Sequence, residues 1–86
     1  MDENELGDTN RHPIRRGIDV TIARVEAAVR RFGIAFPDQP IDDSLGEIAR
    51  LRGVLAQCGY SESTVRVVLG ALQGLVRTLQ GRAAGA

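Results

Sequence analysis

The sequence holds one cysteine, one histidine, one tyrosine, two phenylalanines, and neither tryptophan nor lysine in 86 residues. A single thiol, Cys58, excludes an internal disulfide. With His12 as the only imidazole, the four soft or imidazole ligands of a structural zinc site are not present either, so no cofactor is expected. No apolar run approaches the ~18 residues of a membrane span. The opening Met1-Asp2-Glu3-Asn4-Glu5 is acidic where a secretory signal would be basic, which predicts a cytoplasmic protein without a membrane segment. A chain this short forms one core, and without staples it depends on good helix packing or on self-association.

Charge is present in balance but unevenly placed. Eleven arginines match eleven carboxylates. Residues 1–12 carry Asp2, Glu3, Glu5 and Asp8 against Arg11, a net of −3, so the remainder holds +3. That excess lies in residues 44–86, where five arginines face Glu47 and Glu62. The body is mildly basic, below the excess usual in nucleic-acid modules.

Residues 1–12 are polar and lack clustered aliphatics, which predicts a disordered acidic tail ahead of a single helical domain at 13–86. From Pro13 onward, Ile14, Ile18, Ile22, Val25, Val29 and Phe32 recur at helical spacing, predicting a first helix over 13–32 with Gly33 as its stop. The prolines at 37 and 40 bar its continuation, and Ile34, Phe36 and Ile41 are the residues available to anchor the loop. Ser44 and Glu47 form a Ser-x-x-Glu capping box opening a second helix at 44–58, with Leu45, Ile48, Leu51, Leu55 and Cys58 on a narrow apolar seam. Gly59 closes it. Ser61 caps a third helix at 62–80, where Glu62 and Arg66 can pair and where Val65, Val68, Leu69, Leu72, Leu75, Val76 and Leu79 form a broad buried face. Arg77 and Arg82 suit its negative end, and the residues after Gly81 read as frayed. The fold expected is all-α, a small three-helix bundle.

Val67 lies off the third helix's stripe. Gly70 and Gly74 each cost about 1 kcal/mol in a helix interior, so a close approach is implied there, either to another helix of the bundle or to a second subunit. The breadth of the third helix's face also suggests more apolar surface than one small bundle covers. These features point to a non-enzymatic protein–protein interaction or self-assembly module that takes no small-molecule substrate, with Val67, Gly70 and Gly74 as partner contacts.

Catalytic groups are sparse. His12 has no evident partner. Cys58 sits at a helix C-terminus, where nothing lowers a thiol pKa. Asp42 and Asp43 precede a helix start and complement its dipole.

Three resemblances add alternatives. Asp43-Ser44-Leu45 at a helix start resembles the phosphopantetheine attachment site of acyl and peptidyl carrier proteins, with Phe36 seven residues before the Asp, although Ile41 stands where carriers usually have glycine. That likeness implies Ser44 as the attachment site. Leu51 through Leu79, with Gly59-Tyr60-Ser61, Thr64-Val65-Arg66, Leu69, Ala71-Leu72 and Arg77, resembles the helical pair of the core-binding domain of tyrosine recombinases, without the catalytic domain and with Val68 in place of an aromatic. It implies a DNA-binding domain whose third helix approaches DNA, with Arg50, Arg52, Arg66 and Arg77 as contacts. The Pro37-Asp38-Gln39-Pro40 loop and Gln73-Gly74-Leu75-Val76 are similar to segments of type III secretion needle subunits, which implies self-assembly.

Overall fold

The computed structural model describes residues 13–85, which form three helices: α1 (Pro13–Ala35), α2 (Asp42–Cys58) and α3 (Glu62–Gly85). The expected acidic tail and His12 lie outside the described residues. The chain runs up, down and up. Arg52 of α2 meets Glu26 of α1, Tyr60 meets Asp19, and Arg82 meets Gln39, so α1 and α3 point the same way with α2 reversed against both.

One core joins all three helices. Ile18, Ile22, Val25, Val29 and Phe32 enter it from α1, Ile48, Leu51 and Leu55 from α2, and Val65, Val68, Leu72 and Leu79 from α3. These are the apolar stripes that helical spacing marks out. Leu69, Leu75 and Val76 pack against the core while half-exposed. The breadth of α3's face therefore follows from its contact with both other helices, with Leu69, Leu75 and Val76 left only partly covered.

Several boundaries differ from the sequence reading. α1 runs on through Gly33 to Ala35, and the amide of Phe36 donates to the Phe32 carbonyl at 2.8 Å. Pro37 is what stops it. Gly33 has another use: a Cβ there would lie 2.9 Å from Cδ1 of Ile41, so its bare backbone lets the loop close onto α1. The added helical turn also removes Ile34 from the loop. Two residues after inward-facing Phe32 it points outward and is 80% exposed, whereas Phe36 and Ile41 do pack against the core. Ile14, expected on the buried stripe, is 52% exposed because its turn lies beyond the end of α2.

α2 begins at Asp42, two residues earlier than expected, and its N-cap, Ile41, has no side-chain cap. The Ser44 capping box does not form. Ser44 shares a face with Ile48, Leu51 and Leu55, so it turns inward and is buried, while Glu47 binds Arg50 instead. Asp42 and Asp43 do occupy the first turn, where their charge complements the dipole. At the other end, Cys58 is exposed and not on the seam. The helix finishes there, and Tyr60 is the side chain that packs against the core at that end. Gly59 adopts φ 85°, a left-handed conformation that favours glycine, with its amide on the Leu55 carbonyl at 2.9 Å.

Ser61 caps α3 as anticipated, its Oγ accepting from the Thr64 amide at 3.2 Å, and Arg66 reaches Glu62 at 3.3 Å. The C-terminus is not frayed at Gly81, because the helix continues to Gly85. Arg82 explains why. It donates to Gln39 Oε1 at 2.9 Å and to the Pro40 carbonyl at 2.7 Å, with its guanidinium 5.0 Å from the Phe32 ring centroid. The 36–41 loop is thus clipped to α3 from one side and seated on Gly33 from the other.

Candidate functional site

Three turns of α3 bring Val67, Gly70 and Gly74 onto one line, at relative positions i, i+3 and i+7. Ser63 and Gly81 extend the line at both ends. All five residues are exposed, and Val67 is 68% exposed. Neither glycine serves the internal packing. A Cβ at Gly70 or Gly74 would meet nothing within 4 Å, so the close helix crossing inside the bundle that their spacing suggested does not occur. The line faces away from α1 and α2 and is uncharged from Ser63 to Gly74, with Arg77 bordering it one turn further on. Thr78, beside it, returns its hydroxyl to the Gly74 carbonyl at 2.9 Å. The outer face of α2 has a shorter counterpart in Gly46, Ala49, Gly53 and Ala56, all exposed.

The four arginines proposed for DNA do not converge. Arg50 is held by Glu47 through two bonds of 2.9 and 2.6 Å, and that contact holds the Glu47 carboxyl below the usual range and raises Arg50. Arg52 reaches across to Glu26 of α1 at 2.9 Å, and Arg66 pairs with Glu62. Of these four, Arg77 alone has no carboxylate within ion-pair distance among the described residues. Comparison with family models, curated proteins and solved structures returns no match to this chain.

Ser44, the residue implied by the carrier resemblance, is 6% exposed inside the first turn of α2. A hydroxyl so placed is poorly available to a transferase or to a prosthetic arm. Cys58 is exposed, and the described residues bring no histidine near it. No group of three His, Cys, Asp or Glu gathers at metal-binding distance among the described residues, and no described helix is long and apolar enough to cross a membrane.

Besides the Arg82 clip, two further polar links were not anticipated from the sequence. Glu26 accepts from Arg52 at 2.9 Å and from Arg30 at 3.1 Å, so one carboxylate bridges α1 and α2, and the Arg52 bond, followed by that from Arg30, lowers its pKa. Tyr60 donates to Asp19 at 3.0 Å beneath Arg15, whose guanidinium lies 5.1 Å from the ring centroid. Partial burial, then the bond to Asp19, raises the tyrosine pKa. Helical spacing from Glu26 to Arg30 signals the first pair, but nothing local signals partners 26 or 41 residues apart.

Proposed function

We propose that this protein is a non-enzymatic helical interaction module that self-associates by laying the outer face of α3 against α3 of a second copy. The observation that carries this reading is the pair Gly70 and Gly74, which each weaken α3 by about 1 kcal/mol relative to alanine although a Cβ at either would meet nothing within 4 Å. Small residues allow two helix axes to approach closely, and Val67 supplies an apolar contact beside them. A two-fold contact pairs residue i with j and j with i, so the surface must complement itself, which the uncharged stretch from Ser63 to Gly74 permits.

Light scattering across a concentration series tests it. The expected result is a dimer at micromolar protein that becomes monomeric with Gly70→Leu or Gly74→Leu, while helix stability rises. A protein that stays monomeric throughout, or a dimer indifferent to both substitutions, would overturn the proposal. The DNA-binding alternative has less support, since Arg50 and Arg52 are matched to the partly covered carboxylates of Glu47 and Glu26.

A further inference from the structure

The seam between α1 and α3 does not close on its outer side. Three depressions adjoin along it, the first and second sharing Thr21 and Leu69, the second and third sharing Val76 and Gln80. Together they make one groove from Ile14 beside Arg66 to Phe32 beside Ala83. At 1.5 Å per residue this is about 27 Å of helix, the length of a partner helix of about 18 residues. Its lining is apolar, with Ile14 half-exposed and Leu69 and Val76 only partly covered.

The edges of the groove are basic. Arg66 and Arg77 stand on the α3 side and Arg31 on the α1 side. Arg24 lies two turns before Arg31 on the same face of α1 and is also exposed. Among the described residues, Arg24, Arg31 and Arg77 have no carboxylate within ion-pair distance. Arg66 has only Glu62, and that pair is 76% and 81% exposed, a solvated contact of small worth. Among the described residues, Glu62 is the only carboxylate lining the groove.

We propose that the groove between α1 and α3 is the docking site for an acidic amphipathic helix of a partner protein. Apolar side chains at i, i+3, i+4 and i+7 of that helix cover Leu69, Val76 and Ile14, and carboxylates on its flanks meet Arg31, Arg66 and Arg77. Charge complementarity selects this occupant. A basic helix would meet like charge along both rims, and nucleic acid would leave the apolar floor exposed. The chain's own residues 1–12 are acidic, but Met1 and Leu6 are their only large apolar side chains and cannot fill the floor. The groove is a different surface from the outer line of α3, so Gly74→Leu is expected to leave docking intact, and either proposal can fail alone.

The test uses the full chain and three labelled probes: a designed helix of about 18 residues with a leucine stripe and glutamate flanks, its twin with lysine for glutamate, and duplex DNA. Fluorescence anisotropy is expected to show saturable binding of the glutamate helix and none of the lysine twin. The double variant R31E/R77E, altered only at exposed positions and checked for unchanged helicity, is expected to lose about tenfold in affinity for the first and to gain binding of the second. Equal binding of both helices, glutamate-helix binding unaffected by R31E/R77E, or displacement of the helix by duplex DNA would overturn the assignment. Deletion of residues 1–12 is expected to leave affinity unchanged. A rise of about tenfold or more on deletion would make the tail the occupant and overturn the partner assignment.

Discussion

Arg82, four residues before the end of the sequence, donates to the backbone carbonyl of Pro40 at 2.7 Å, so the last turns of α3 hold the loop between α1 and α2. A charged donor on a carbonyl, a second bond to Gln39 and a guanidinium over Phe32 act together. Arg82→Ala is expected to cost about 2 kcal/mol in urea unfolding. Arg82→Lys should restore less than half, because an ammonium cannot present the same planar fork. Amide exchange at Gln39, whose N–H donates to the Phe36 carbonyl, should accelerate in the alanine variant before the core amides respond.

Gly33 and Gly53 both sit inside helices, yet their substitution is expected to have different effects. A Cβ at Gly53 meets nothing within 4 Å, so Gly53→Ala should stabilise by about 1 kcal/mol through helix propensity. At Gly33 the same methyl would press Ile41 from 2.9 Å. Gly33→Ala is therefore expected to gain less than half as much, and Gly33→Val to destabilise. Denaturation midpoints at equal slope give the comparison.

The Glu26 carboxyl, held below its ordinary value of 4.5 chiefly by Arg52 and then by Arg30, ties stability to pH on the acid side. A depressed carboxyl pKa contributes stability above the unfolded value, and that contribution is lost as pH falls through the folded one. Stability should therefore drop below about pH 4.5, and Glu26→Gln should be less stable than the parent at pH 7 and flatter between pH 5 and 3. Thermal melts across that range measure the difference.

Tyr60 gives the alkaline counterpart. Its pKa is raised above 10.0 by partial burial and then by the bond to Asp19, so its contribution is complete below the unfolded value and is lost as pH rises through the folded one. Tyr60→Phe keeps a ring beneath Arg15 but removes the donor. It should cost about 1 kcal/mol at neutral pH, and the variant should lose less stability than the parent between pH 9 and 11.

The helical stripes were legible because burial along a helix repeats at a fixed period. Ile18 through Phe32 fall inward on α1 wherever a second helix faces them, and Ile14 fails only where α2 has ended. Helix ends were less legible, since they depend on contacts distant in sequence. Ser44 and Ser61 each precede an apolar helix in the same way, yet Ser61 caps while Ser44 is buried, because Ser44 alone lies on a core-facing line. Gly33 read as a stop because a glycine has no side chain to indicate what packs against it. Val67, Gly70 and Gly74, expected from sequence as partner contacts, are all exposed, while a crossing of the glycines by a helix of the same bundle does not occur.

Two helices of one sense against a single reversed helix leave the bundle with an axial field that does not cancel. Each helix carries about half a positive charge at its start and half a negative charge at its end. The end holding the starts of α1 and α3 is consequently the more positive, and the end where they finish the more negative, before any side chain is counted. Glu62 sits in the first turn of α3 at the positive end, and Arg82 in its last turn at the negative one. On α3, side-chain charge thus opposes backbone polarity at both ends, which lowers the electrostatic cost of packing that helix in the same direction as α1.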